Sequence, residues 1–162
     1  MSMTKKLKDK LLDVLMGSLA VAAGVVVILA GERLVEVRME FFWGVSTFSP
    51  AWVVTLFLIP CIAGLVVAFI YGFGGKLLAM FPPAFVEGYN YLQTDYFNNI
   101  PAFVPEGASL LPFIYWILLV VIAIEFGGIG GFIGEVVVKR TYGRTPRHLL
   151  HARYSRETPK EG

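Results

Sequence analysis

Three long apolar runs, set apart by polar or broken stretches, organise this chain. The first covers Leu11–Gly31 and is interrupted only by Asp13 and Ser18; it follows a polar start that carries Lys5, Lys6, Lys8 and Lys10. A basic start and an apolar core are also the marks of a signal peptide, and the small residues of Ser18-Leu19-Ala20-Val21-Ala22-Ala23 offer a cleavage-like site. The apolar run nevertheless continues through Ala30, and Val14–Ala30 alone reaches the roughly 17 residues that a membrane span needs. The expectation is therefore an uncleaved anchor helix over about 11–31. The second run, Ala51–Tyr71, holds no charged residue. At about 1.5 Å per residue it covers about 30 Å, the thickness of a bilayer's hydrocarbon core. Trp52 and Tyr71 stand at its two ends, where amphipathic aromatic rings settle at headgroup level. Pro60 removes one backbone donor in mid-run and predicts a kink. The third run, Leu110–Val138, is longer than one crossing requires. Tyr115 and Trp116 at one side and Lys139-Arg140 at the other place its membrane helix at about 113–138.

The connections differ in character. From Glu32 to Val45, charge alternates with bulk, and Glu32, Glu36 and Glu40 recur at a spacing that places them on one helical face. Arg33 and Arg38 can pair with neighbours on that polar side, and Trp43 suits the headgroup boundary. This reads as an extension of the first helix or an amphipathic helix at the interface. Gly44 to Pro50 reads as a turn, with Ser49-Pro50 placed to start a new helix. Residues 72–109 read as an aromatic, Pro- and Gly-rich loop. Within it Pro83–Gly88 is echoed at Pro101–Gly107, which suggests two similar turns at the membrane surface. The tail, 139–162, is basic, and Thr145-Pro146 offers a start for a short helix through Leu149, Leu150 and Tyr154.

Composition converts these runs into a class. Hydrophobic residues make up 56% of the chain and charged residues 16%, with a mean hydropathy of +0.68. A soluble domain has about 45–50% apolar and about 25% charged residues, so the excess apolar surface calls for lipid as its solvent. The expected fold is an all-α integral membrane protein with three transmembrane helices in a single membrane domain. A net charge of +2 is too small to imply a nucleic-acid partner. The single cysteine, Cys61, lies in an apolar run and forms no internal disulfide.

Charge distribution exposes a conflict. Cytoplasmic flanks collect Lys and Arg. The tail carries seven (Lys139, Arg140, Arg144, Arg147, Arg153, Arg156 and Lys160), the N-terminus four, and the 72–109 connection only Lys76. Both termini thus ask to be cytoplasmic, whereas three crossings separate them. With three spans, a cytoplasmic C-terminus leaves the fewer basic residues outside. A further possibility keeps both ends inside through a fourth, short or re-entrant segment near 72–86, where glycines and Pro82-Pro83 break the pattern. Either way the tail is expected in the cytoplasm and the chain in the cell membrane.

One residue carries candidate chemistry. Glu125 stands among apolar residues, Val120 to Phe126, between the Trp116 and Lys139 anchors. A charged carboxylate at that depth is expensive unless paired, so Glu125 is expected to turn away from lipid, protonated, into a bundle interior or wet cavity. Glu135, close to Lys139, is expected to reach the interface. The glycines that follow, Gly127, Gly130, Gly131 and Gly134, share one helical face roughly opposite Glu125 and predict close helix packing, within the chain or between copies. On the second alternative, Gly131→Leu would remove an oligomer or partner contact. No catalytic, cofactor or metal constellation is recognisable. Gly72–Leu77 lacks the spacing of a phosphate loop, His148 and His151 lack a third ligand nearby, and Asp95 and Glu87 have no matching His or Ser. The functional expectation is a non-enzymatic accessory or structural subunit of a membrane complex, with lipid and other subunits or copies of itself as partners. The alternative is a transport or channel component that uses Glu125.

Overall fold

The apolar run at 11–31 forms the middle of a longer helix, α1 (Met3–Val35), which ends where Glu36 takes a left-handed φ of 56°. The structure, a computed structural model, describes residues 3–36, 49–93 and 111–142, and every element among them is helical. The second run starts as the Ser49-Pro50 pair predicts. The Ser49 hydroxyl accepts the Trp52 N–H at 3.2 Å, and Pro50 opens α2 (Pro50–Val53). A π-helical turn over Val54–Leu58 leads into α3 (Ile59–Tyr71), so 50–71 is one continuous span. The irregularity expected at Pro60 lies one turn earlier. Proline has no N–H for the carbonyl four residues earlier, that of Leu56, and its ring crowds it, and the widened π turn accommodates both. Thr55, buried in this turn, donates its hydroxyl to the Ala51 carbonyl at 3.0 Å.

After Tyr71 the chain turns sharply. Gly72 (φ 88°) and Gly74 (φ 90°) adopt backbone conformations that a side chain would strain, and the Gly72 N–H closes α3 on the Ala68 carbonyl at 2.8 Å. Two helices follow, α4 (Gly75–Leu78) and α5 (Phe81–Gln93). The segment expected to be a loop from 72 onward is therefore largely helical to Gln93. Pro83 and Val86, part of the first echo, are buried within α5 rather than exposed in a surface turn. The last helix, α6 (Leu111–Tyr142), exceeds the expected 113–138 at both ends.

The contacts fix the direction of every helix. Gly17 lies beside Tyr71, Gly24 beside Val67 and Gly31 beside Ile59, so α1 and α3 are antiparallel. Trp52 and Leu56 pack with Leu119 and Ala123, the Phe57 ring meets Phe126 edge-on at 4.7 Å, and Gly134 meets Ala68, so α3 and α6 run parallel. Parallel neighbours require the chain to return between them, and α5 makes that return. Pro82 lies beside Gly24 and Val86 packs with Ile28, so α5 runs alongside α1 in the same direction. Among the described residues three helices are long and apolar enough to cross a membrane; the broken pair α4–α5 occupies the region near 72–86 where the sequence left a short fourth segment open, and continues to Gln93.

The start of α1 and the end of α6 consequently meet at one end of the bundle. Tyr71 hydrogen-bonds Asp13 there, and the Lys139 ammonium lies over the Phe73 ring, 5.7 Å from its centroid. This is the basic end of the bundle: α1 enters it with Lys5, Lys6, Lys8 and Lys10, and α6 leaves it with Lys139 and Arg140. Small residues dominate the interior: Ala20, Ala63, Ala68, Ala79 and Ala123 are fully buried. Lipid tails are as apolar as a leucine side chain, so close packing rather than hydrophobicity holds such helices together, and small residues permit it. The segments 37–48, 94–110 and 143–162 lie outside the described residues. With them lie the readings made for Arg38, Glu40 and Trp43, for Asp95 and the second echo, and for the Thr145-Pro146 helix and His148 and His151.

Candidate functional site

The glycine face of α6 is buried against the chain's own helices. A Cβ on Gly130 would run into the Cys61 carbonyl oxygen, and one on Gly64 of α3 into the carbonyl oxygen of Gly127. On Gly131 it would lie 2.5 Å from the Ala79 Cβ, and on Gly134 2.7 Å from the Ala68 Cβ. All four predicted glycines of α6 thus face α3 and the α4–α5 segment, with backbones in direct contact. Gly131 meets Ala79 and Lys76 of its own chain, so the expected loss of a contact between copies in Gly131→Leu is replaced by damage inside the bundle.

Sequence reasoning missed a second seam. Gly17, Gly24 and Gly31 recur every seven residues along α1 and line the face turned to α3, α4 and α5. The signal was available, since a seven-residue repeat keeps residues on one helical stripe. The three sites differ in tightness. A Cβ at Gly24 would stand 2.6 Å from Pro82 Cγ, one at Gly31 would press on the flexible Ile59 side chain at 2.7 Å, and one at Gly17 would sit at an ordinary 3.6 Å from Tyr71.

Glu125 is on the outside of the bundle. It is exposed, roughly opposite the buried glycine face, which corrects the expectation that it turns inward. The reason is geometric: the glycines need the inner face for backbone contact, and a residue on the other side of the same helix must then look out. Leu118, Val121 and Phe132 are exposed near it, at 50, 48 and 57%. Leu118, Val121, Glu125, Gly128 and Phe132 follow one another at alternate spacings of three and four, the period of a helix–helix seam. Glu125 is the sole charged residue in this stripe.

The carboxylates that the structure does bury are others. Glu32 of α1 is 6% exposed and Glu87 of α5 3%. Glu32 lies one turn beyond Ile28, which packs with Val86, so Glu87 and the half-buried Asn90 come level with it at the end of the bundle opposite the basic end. Each of the three makes an interaction, while Glu32 Oε1, Glu87 Oε1 and Asn90 Nδ2 are buried with no hydrogen bond of their own. The sequence placed Glu32 on a polar outer face and Glu87 in a loop. Neither assignment survives, because α5 covers that face of α1. Glu135 is half-buried near the basic end, with an Oε2 that accepts no hydrogen bond, while neighbouring Lys139 turns to Phe73. Among the described residues no group of three or more His, Cys, Asp or Glu could hold a metal ion. No known protein family, curated protein or solved structure matches the chain.

Proposed function

We propose that this protein is a non-enzymatic accessory or structural subunit of a membrane complex, joined to its partner through the outer face of α6. The observation that carries this reading is the exposed Glu125 in the middle of an otherwise apolar stripe. A carboxyl group directed at acyl chains is costly, and intramembrane ionisable residues face protein or water. The glycine faces that commonly join membrane helices are already occupied within the chain. The spacing of the α6 stripe suits a helix from a second copy or another subunit, with one polar residue setting the register. An interhelical hydrogen bond in lipid contributes about 1–2 kcal/mol in peptide systems, so Glu125→Leu is expected to weaken the assembly roughly tenfold. Glu125→Gln keeps a hydrogen bond and the assembly. Native mass spectrometry from mild detergent measures both, and an unaltered assembly in Glu125→Leu overturns the reading.

A second reading rests on the same residue. Several copies arranged with Glu125 around a shared axis would line a path for protons or cations. Proteoliposomes that carry a flux abolished by Glu125→Gln, with the assembly retained, favour this transport role. An assembly without flux favours the subunit role.

The orientation proposal follows from charge. Both flanks of the basic end carry lysines or arginines, and cytoplasmic flanks collect them. The return through α4–α5 removes the conflict between the two basic termini, and both are proposed to be cytoplasmic, in the cell membrane. A reporter active only outside the cytoplasm should stay silent when fused before Met1 or after Gly162. Activity from either fusion overturns the arrangement.

A further inference from the structure

A groove runs along α1 near the basic end, with Tyr71 at the end of α3 and helices α4 and α5 forming its other wall. Its volume is about 590 Å³, within the roughly 300–1,000 Å³ of small-molecule sites. Its lining is graded. Asp13, Ser18 and Tyr71 supply the polar groups, while Val21, Phe81 and Phe85 are apolar. Residues 13 to 22 of α1 line it over about 13 Å at 1.5 Å per residue, so the groove runs from the basic end inward along the bundle. A polar mouth and an apolar trough at this depth match an amphiphile standing upright in one leaflet.

The charges at the mouth select the headgroup. The Tyr71 hydroxyl donates to the Asp13 carboxylate. An ionised carboxylate accepts about four hydrogen bonds in all, so acceptor sites remain for a cationic donor. Lys10, exposed one turn earlier on the same face of α1, supplies a cation for an anion beside it. A negative and a positive group a turn apart complement a headgroup that carries an ammonium and a phosphate together. They suit a purely anionic headgroup less well, because Asp13 repels it.

We propose that this groove seats one phospholipid of the ethanolamine class, its ammonium on Asp13, its phosphate beside Lys10 and one acyl chain along Val21, Phe81 and Phe85. The site is independent of the α6 stripe and stands or falls apart from the subunit reading. The test uses the full chain, delipidated in mild detergent and titrated with dioleoyl phosphatidylethanolamine or dioleoyl phosphatidylglycerol, with bound lipid counted by native mass spectrometry. The wild type should retain one ethanolamine lipid per chain and prefer it about tenfold, the ratio that one charge-assisted hydrogen bond supplies. Asp13→Asn should abolish the preference while lipid still binds. Ala22→Phe, which fills the trough from an exposed position of α1, should lower retention of both lipids. Equal retention of the two lipids by the wild type, or an undiminished preference in Asp13→Asn, overturns the proposal. A second measurement needs no variant. An ethanolamine lipid with a photoreactive acyl chain should label wild-type peptides that contain Val21 or Phe85. Labelling confined to other surfaces, or exclusion of the lipid by the chain's own tail or by a second copy, overturns it equally.

Discussion

Gly130→Leu is expected to separate α3 from α6 and so to unfold the bundle, with a loss of stability above about 3 kcal/mol, beyond the usual range of about 1–3 kcal/mol for overpacking. The reason lies in what the new atoms would meet. Overpacking is mild when the neighbour is the far end of a side chain that can rotate. At Gly130 the neighbour is the carbonyl of Cys61, with the Cys61 Cα behind it, and a backbone within a helix cannot yield without moving the helix. Among the described residues the α3–α6 contact is the most extensive, and it joins the Trp52, Leu56, Leu119 and Ala123 cluster to the basic end. Its loss therefore propagates along the whole length. Reversible unfolding in mixed micelles reads the effect, with Phe132→Leu as the comparison, since Phe132 is 57% exposed on the opposite face. Leu119 is unsuited to that control, being 3% exposed within the same cluster. Comparable stability of Gly130→Leu and Phe132→Leu would refute the backbone contact between α3 and α6.

The second large effect belongs to the α1 seam, where the chain tests its own return segment. Gly24→Ala is expected to destabilise by about 1–3 kcal/mol, because its methyl group would meet Pro82 Cγ at 2.6 Å and Val67 Cγ2 at 2.7 Å. Gly17→Ala has the opposite expectation. Its methyl group finds ordinary contact distances, and alanine favours a helix over glycine by about 1 kcal/mol. Pro82→Ala removes the ring that blocks Gly24→Ala, so the double variant should be more stable than the sum of the singles by roughly 1 kcal/mol. The relief is partial, because Val67 stays in place. Purely additive behaviour would mean that α5 does not lie on α1 at Gly24, and the return of the chain alongside α1 would have to be abandoned. The design separates the fold from the α6 surface, since Gly24 and Pro82 lie where α1 meets α5.

Much of the architecture was legible in the linear pattern. Runs of apolar residues long enough to cross a bilayer located all three spans, since the length a helix must have is set by the bilayer. Ser49-Pro50 marked the start of the second span because cap chemistry is local, and the glycines at 127–134 marked a face of close approach because helical periodicity is local too. The α4–α5 return was only half legible. Its glycines and paired prolines break any simple apolar run, and the sequence could offer it only as a way to reconcile two basic termini.

The placement of the carboxylates shows where local reasoning ends. Glu125 was expected inside and lies outside; Glu32 and Glu87 were expected at the surface and are buried. Periodicity says which residues share a face, but not which neighbour that face meets. In water, hydrophobicity would supply the missing information, because apolar faces turn inward. In lipid the surroundings are as apolar as the interior, so an apolar stripe has no preferred side. The sequence by itself determined the class, the number and position of the long spans and the residues that permit backbone contact. Only the tertiary structure decided that the glycines of α6 meet α3 and the α4–α5 segment of the same chain, that α5 covers Glu32, and that Glu125 is left facing outward. Those outcomes depend on which helices can approach most closely, a property of pairs of surfaces that no single stretch of chain contains.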